Sequence, residues 1–267
     1  MTTSQIPHSD PAAIKPMATQ RKDAWWVEPT LVAIGFGLFI IYATYRGLMG
    51  HSFEVETILS PFYSPPLLNG IAGLPFSPAI AILWMPAGFR ATCYYYRKAY
   101  YRAYFLDPPG CAVGHFGGEN YCGEAKGLLV LQNVHRYMLY LAILVIAFLW
   151  YDAIHSLFLL NGEFRLGLAS VIMIANCILL SGYTFGCHAF RHLVGGRKDC
   201  FSCVGGQPNA AYSRWHFVTK LNEHHMLWAW MSLFSVGITD WYIWQVAAGH
   251  IVDPTFIGSV LPLVHIH

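Results

Sequence analysis

One sequence pattern occurs twice in this chain, and it constrains the fold more than any other feature. Each copy has a glycine, an aromatic residue, a cysteine and an arginine at matched spacing, followed by Asn-x-His and then by an aspartate. The two copies are Gly88, Phe89, Cys93, Arg97, Asn133, His135 and Asp152, and Gly182, Tyr183, Cys187, Arg191, Asn222, His224 and Asp240. The agreement predicts a duplicated helical hairpin that brings one Cys and one His from each copy to a shared centre.

A second pair of cysteines has identical spacing to the two histidines. Cys111 precedes His135 by 24 positions, and Cys200 precedes His224 by the same number. Both cysteines lie in glycine-rich segments that could fold back over the shared centre. Either pair of cysteines is therefore a candidate source of thiol ligands.

The chain is too apolar for a soluble surface. Hydrophobic residues make up 55% of it and charged residues 11%, whereas a typical soluble domain has about 25% charged residues. This composition predicts an integral membrane protein. The net charge of +2 gives no reason to expect a nucleic acid as a partner.

Five apolar segments are long enough to cross about 30 Å of hydrocarbon as helices. They are residues 31–48, 78–105, 127–151, 166–193 and 214–248. The second continues into a basic, tyrosine-rich end, and we interpret it as one long helix. The sequence thus predicts an all-α membrane protein with five transmembrane helices, of which the second to fifth form a four-helix bundle of two repeated hairpins.

The two hairpins cover about residues 78–152 and 166–240 of a membrane domain that comprises residues 25–248. A polar leader, residues 1–24, precedes this domain, and an apolar tail, residues 249–267, follows it.

The distribution of Lys and Arg predicts the orientation in an inner, or plasma, membrane. Residues 94–126 hold four of these side chains and residues 188–220 hold five, whereas residues 49–75 and the tail hold none. Because positively charged loops stay in the cytoplasm, the leader and both cysteine-bearing loops are expected there. Asp152 and Asp240 are then expected at the outer boundary, where a charge can stay hydrated.

Two thiols and two imidazoles at one depth favour a redox cofactor. Counted from the outer end of each span, the four side chains lie roughly 15–22 residues in, which is about 22–33 Å. This set suits a Rieske-type [2Fe–2S] cluster, in which two thiolates hold one iron and two imidazoles hold the other. The candidate ligands are Cys93, His135, Cys187 and His224, with Cys111 and Cys200 as the alternative cysteines.

Other interpretations of the same pattern remain open. A zinc site would use the same four ligands, and a b-type haem would use His135 and His224 with the cysteines as bystanders. The repeat could also record an old duplication in which Cys and His only pack, leaving a structural anchor. Parallel repeats occur in transporters as well.

Four stretches carry a resemblance to a known family. They are residues 93–111, beginning Cys-Tyr-Tyr-Tyr-Arg-Lys, 131–137, Leu-Gln-Asn-Val-His-Arg-Tyr, 187–196, beginning Cys-His-Ala-Phe-Arg-His, and 221–230, beginning Leu-Asn-Glu-His-His-Met. From about residue 30 to residue 248 the chain resembles the cytochrome b-like membrane-anchor subunit of a succinate:quinone oxidoreductase. The type is the single anchor of actinobacterial succinate dehydrogenases.

The resemblance implies a role in the tricarboxylic acid cycle and the respiratory chain. The anchor would bind the iron–sulfur subunit and, through it, the flavoprotein subunit that oxidises succinate. It would have no succinate site of its own, and it would pass electrons to menaquinone or ubiquinone in the lipid bilayer. A higher oligomer of the complex is also compatible with this role.

Better-known five-helix anchors of this superfamily carry two b haems on four transmembrane histidines. The first span of this chain has no histidine, which favours a [2Fe–2S] cluster over haem b. A quinone site needs hydrogen-bond donors beside a flat apolar surface. The candidates for that site are Arg90, Arg97, Arg191, Tyr94, Trp84, Trp228 and Trp230.

Overall fold

The computed structural model describes residues 17–66, 77–116, 128–196 and 210–259, and these are mostly helical. Eight α-helices lie in this part of the chain: α1 (Val27–Met49), α2 (Ile80–Ala91), α3 (Tyr94–Ala103), α4 (Leu128–His155), α5 (Leu168–Phe185), α6 (His188–Val194), α7 (Ala210–Glu223) and α8 (His225–Ala247). The short strands are β1 (Glu54–Val55), β2 (Ile58–Leu59), β3 (Leu166–Gly167) and β4 (Thr255–Ile257). They pair antiparallel as β1–β2 and β3–β4. This architecture is consistent with an all-α membrane protein.

Three helical segments are long and apolar enough to cross a membrane. They are Val27–Met49 in α1, Asn133–His155 in α4 and Leu168–Phe185 in α5, and they overlap the first, third and fourth predicted spans. The shorter helix α2 is apolar too, but its 12 residues cover only about 18 Å at 1.5 Å per residue.

The second predicted helix is interrupted, so the prediction of one long helix is wrong. α2 ends at Ala91 and α3 begins at Tyr94, which leaves Thr92 and Cys93 at the break. The Thr92 hydroxyl donates to the Gly88 carbonyl at 2.8 Å, and such local bonds bend or end helices. The sequence does not reveal this break because no proline or glycine lies at Thr92 or Cys93 and the following tyrosines, Arg and Lys are compatible with a continuing helix.

The fourth predicted helix is interrupted at the matching position. α5 and α6 meet at Gly186 and Cys187, and the backbone of Cys187 is extended. The Asn222 side chain donates to the Gly186 carbonyl at 2.8 Å, which satisfies an acceptor at the end of α5. The fifth predicted helix is likewise divided, into α7 and α8, at His224.

Contacts divide the chain into two compact units. The units are Met1–Gly37 with Tyr94–Leu129, and Leu38–Cys93 with Val130–His267. In the first unit, Thr19 forms an antiparallel bridge with Val113, and the Thr19 hydroxyl donates to the Ala112 carbonyl at 2.8 Å. The described end of the predicted leader therefore pairs with the loop that follows α3.

The core of the second unit contains apolar side chains of α4, α5 and α8, among them Leu149, Met173 and Ile243. The described part of the apolar tail is attached to this unit by β4, which pairs with β3. Asp253 strengthens the attachment, because it is buried, forms an ion pair with Arg165 and accepts a hydrogen bond from the Ala169 backbone N–H at 2.9 Å.

The expectation that Asp240 stays hydrated is wrong. Its side chain is 0% exposed and forms an ion pair with Arg46 of α1, with 2.7 Å between Arg46 Nε and the carboxylate. The Ser60 hydroxyl donates to the same carboxylate, and the Ser64 hydroxyl donates to Asp152. Both aspartates of the repeated pattern are thus bound by serines of the segment that follows α1.

Candidate functional site

Four buried side chains converge in the second unit. Cys93 and Cys187 are each 2% exposed, and His135 and His225 are 8% and 3% exposed. The Nε2 atom of His135 lies 3.0 Å from the Cys187 sulfur, and the Nε2 atom of His225 lies 3.7 Å from the Cys93 sulfur. Each contact therefore crosses between the two predicted hairpins.

The helix breaks position both sulfurs. Cys93 directly precedes α3, and Cys187 directly precedes α6. The Cys187 sulfur accepts a hydrogen bond from the backbone N–H of Ala189 at 3.3 Å. Because free N–H groups at a helix start favour negative charge nearby, this position suits a thiolate better than the side of a continuous helix would.

Matched aromatic rings hold the two imidazoles. Phe89 stacks on His135, with 4.5 Å between ring centroids and 10° between ring planes. Tyr183, which occupies the same position in the second copy of the pattern, stacks on His225 at 5.0 Å and 18°. Phe89 and Tyr183 also contact each other at 5.3 Å. The stacks fix the planes of both imidazole rings.

The glycines of the two copies of the pattern, Gly88 and Gly182, allow close contacts between helices beside these rings. A Cβ at Gly88 would lie 3.1 Å from the Met138 sulfur, and a Cβ at Gly182 would lie 2.7 Å from the Trp228 ring. Met138 follows His135 by three positions, and Trp228 follows His225 by three positions. The two glycine contacts therefore correspond only if His225, and not His224, is taken as the counterpart of His135 in the second copy of the pattern.

Three of the four predicted ligands, Cys93, His135 and Cys187, lie together in the structure, and His224 does not lie with them. His224 is exposed and lies at the N-cap of α8, whereas its neighbour His225 is in the buried cluster. The sequence pointed to His224 because the Asn-x-His match and the 24-residue spacing to a cysteine compare positions along the chain only. The adjacent His224-His225 pair was the available signal that either residue could face the centre.

The alternative cysteines lie elsewhere or outside the described residues. Cys111 is exposed and belongs to the first unit, where its carbonyl accepts a hydrogen bond from Arg21 at 3.0 Å. Cys200 lies outside the described residues.

Arg90 lies beside the buried cluster. Its guanidinium donates to the Ala229 carbonyl at 3.2 Å and to the Ser232 hydroxyl at 3.0 Å. It also lies over the Tyr183 ring, 4.7 Å from the centroid, and that ring stacks on His225. A positive charge is therefore held next to one imidazole of the cluster.

Two other candidates for a quinone site, Trp228 and Trp230, lie in α8. The Trp228 indole contacts Gly182, and its buried Nε1 has no hydrogen-bond partner among the described residues. Trp230 stacks with Phe234, with 6.1 Å between ring centroids.

The remaining four candidates have separate surroundings. Arg191 donates to the Asn222 side chain at 3.2 Å and lies over the Trp215 ring. In the first unit, the buried Arg97 lies over the Tyr94 ring at 4.9 Å. Large exposed areas remain on Trp84 and Tyr94.

The four side chains of the cluster are two thiols and two imidazoles. Within the described ranges, no group of three or more His, Cys, Asp or Glu side chains is arranged to hold a metal ion. The four side chains form two thiol–imidazole pairs instead. Two thiols and two imidazoles shielded from water nevertheless fit the ligand chemistry of a Rieske-type cluster.

Comparisons with known proteins agree on one family. The model of a family described as actinobacterial succinate dehydrogenase subunit SdhC matches residues 27–249. A chain from the Mycobacterium smegmatis Sdh1 complex in the apo form is 40% identical, with a TM-score of 0.80. The similarity covers 91% of the present chain and 96% of that chain. No match was found among curated proteins.

Proposed function

The chain belongs to the family of actinobacterial succinate dehydrogenase subunit SdhC, and we propose that it passes electrons to a membrane quinone through a redox centre held by Cys93, His135, Cys187 and His225. Its place as a membrane anchor of succinate dehydrogenase makes it a subunit of an oxidoreductase. The partners are the other subunits of that complex, and we propose that the iron–sulfur subunit binds the anchor and links it to the flavoprotein.

The two crossed Cys–His contacts carry this proposal. Burying an imidazole or a thiol costs free energy unless the group is hydrogen-bonded, and polar groups inside membranes are usually functional. Two such pairs, delivered by matched helix breaks and matched aromatic stacks, are more than packing requires. The pairs support a shared cofactor between the two hairpins.

The residues present fit a Rieske-type [2Fe–2S] cluster. When bound, such a cluster supplies one-electron transfer at a higher potential than a cluster with four cysteines. The chain contributes the two thiolates of Cys93 and Cys187 and the two imidazoles of His135 and His225. The Ala189 N–H stabilises negative charge on the Cys187 sulfur, and the aromatic stacks exclude water from the rings.

Trp228 best supports a nearby quinone site. A buried donor without a partner is unfavourable, and the Trp228 Nε1 is such a donor among the described residues. A quinone oxygen is an acceptor that could satisfy it, and the indole offers a flat surface to a quinone ring. We also propose the other six candidate residues as parts of this quinone site. The electron acceptor would be menaquinone or ubiquinone.

We also propose that the chain crosses the membrane five times. α2 with α3, and α7 with α8, would complete five spans with the three helical segments that are long and apolar enough by themselves. The second to fifth spans would then form the four-helix bundle of two hairpins. The Lys and Arg distribution supports cytoplasmic cysteine-bearing loops.

Low-temperature EPR of the purified complex after dithionite reduction tests the proposal, together with iron and haem quantitation. A reduced [2Fe–2S] signal with a low average g, additional to the clusters of the soluble subunits, is the expected result. The soluble subunits without the anchor serve as the control. A haem spectrum without this additional signal would contradict the proposal and would assign the two buried histidines to haem b.

A further inference from the structure

Thr92 contacts both the helix break and the buried cluster. It lies between the end of α2 and Cys93, and Thr92 and His135 are each 8% exposed. The Thr92 oxygen lies 2.8 Å from the Gly88 carbonyl oxygen and 3.0 Å from Nδ1 of His135. One hydroxyl therefore links the backbone of α2 to an imidazole of α4.

The number of protons determines the direction of these bonds. A hydroxyl has one proton to donate and lone pairs to accept with. The Gly88 and Phe89 carbonyl oxygens beside it, at 2.8 and 3.3 Å, can only accept. We assign the hydroxyl proton to the Gly88 carbonyl, which leaves the Thr92 oxygen to accept from Nδ1–H of His135. The Phe89 carbonyl is also a hydrogen-bond partner of the His135 ring, and a carbonyl can only accept, so it too favours a proton on Nδ1.

The tautomer of His135 follows from this direction. With the proton on Nδ1, the other ring nitrogen, Nε2, carries the lone pair in the neutral imidazole. Nε2 is the atom that lies 3.0 Å from the Cys187 sulfur. The hydroxyl thus presents the lone pair of His135 to the centre of the cluster.

The second copy of the pattern lacks this hydroxyl. Gly186 precedes Cys187 as Thr92 precedes Cys93. A Cβ at Gly186 would lie 3.4 Å from Nδ1 of His225 but 2.6 Å from the Gly182 carbonyl oxygen, so a threonine does not fit there. The two imidazoles therefore differ in the partner of Nδ1, in addition to the Arg90 charge that lies on the His225 side of the cluster.

We propose that Thr92 is a positioning residue that makes the two histidine ligands inequivalent, by fixing His135 with Nε2 toward the metal. This inference rests on the proposed function. A hydrogen bond to the remote nitrogen of a ligating imidazole orients the ring and raises its basicity as a ligand. Thr92 therefore changes the potential of the redox centre through one of its two imidazoles.

Three variants of the whole complex test the proposal. Thr92→Val keeps the shape and removes the hydroxyl, whereas Thr92→Ser keeps the hydroxyl. Thr239→Val is the matched control, because Thr239 is also buried and its hydroxyl also donates to the carbonyl four residues earlier, that of Ser235. At 1.5 Å per residue, Thr239 lies about 21 Å along α8 from His225.

The readouts are the EPR g values, the nitrogen couplings by ESEEM and the midpoint potential of the anchor signal. Thr92→Val is expected to shift the potential and to change the couplings of one histidine, or to lose the signal. Thr92→Ser and Thr239→Val are expected to match the wild type. Outer partners of metal ligands typically change metal affinity or activity about 10–100-fold, so the effect is measurable.

Two results would overturn the inference. One is a Thr92→Val complex with the signal, couplings and potential of the wild type. The other is a Thr92→Ser complex as strongly altered as Thr92→Val, because the hydroxyl would then not be the cause. A wild-type complex that has no anchor signal would instead overturn the proposed function.

Discussion

At the scale of single residues, two adjacent histidines have opposite surroundings. His225 is 3% exposed and contacts the Cys93 sulfur, whereas His224 is exposed at the start of α8. Successive residues of a helix point about 100° apart, since 3.6 residues make one turn. Only one of the two imidazoles can therefore face the cluster.

This difference gives a direct test by substitution. His135→Ala and His225→Ala are expected to abolish the EPR signal of the anchor and to lower its iron content, because each removes a proposed ligand. His224→Ala is expected to keep both at the wild-type level. Membrane fractionation with immunoblotting checks that every variant still inserts. Loss of the signal in His224→Ala with retention in His225→Ala would reverse the assignment.

At the scale of elements, a buried ion pair connects the C-terminal part of α1 to α8. Arg46 contacts both carboxylate oxygens of Asp240, at 2.7 and 3.0 Å, and the Tyr42 hydroxyl donates to the same carboxylate at 2.5 Å. The guanidinium also lies over the rings of Phe53 and Trp244. Both charges are satisfied, so the helices are joined by a complete polar network.

Breaking this pair is expected to be costly. Removing one partner of a buried ion pair leaves an uncompensated charge and costs about 3–5 kcal/mol. Arg46→Met and Asp240→Leu are each expected to lower the melting temperature of the detergent-solubilised complex. The double variant Arg46→Met/Asp240→Leu is expected to recover most of the loss, because no buried charge remains.

The control for this cycle is the exposed pair of Arg21 and Asp23, where the guanidinium lowers the pKa of the Asp23 carboxyl. Asp23→Asn is expected to leave the melting temperature unchanged, since exposed pairs contribute little. Equal melting temperatures for Asp240→Leu and Asp23→Asn would show that the buried pair does not hold α1 to α8.

At the scale of the whole molecule, the charge distribution and the long apolar helices predict which segments face each side of the membrane. Leu160, between α4 and α5, is 73% exposed and lies in the loop expected outside. Cys111 is exposed and lies in a loop expected in the cytoplasm. These two positions therefore report on opposite sides.

Labelling with a membrane-impermeant maleimide tests this orientation. In intact cells, a Leu160→Cys variant is expected to be labelled above the wild-type level, because the new thiol faces outward. In inside-out vesicles, the wild type is expected to be labelled more than a Cys111→Ser variant. Labelling of Cys111 from outside intact cells would invert the predicted orientation.

The sequence alone determined the class of protein and most of the cluster. Low charge and long apolar segments predicted membrane helices, three of which the described residues contain as candidate spans. The repeated pattern predicted that Cys93, His135 and Cys187 come together, and they lie within one buried cluster. These features depend on composition and on spacing along the chain, and both are properties of the linear sequence.

Only the tertiary structure decided that His225 rather than His224 lies in the buried cluster, where the helices are interrupted, and that Asp240 is buried. Side-chain hydrogen bonds accompany both breaks, from Thr92 to the Gly88 carbonyl and from Asn222 to the Gly186 carbonyl. Arg46 reaches Asp240 from a helix far away in the sequence. Contacts of this kind are set by how helices pack in three dimensions, and no local pattern of residues contains that information.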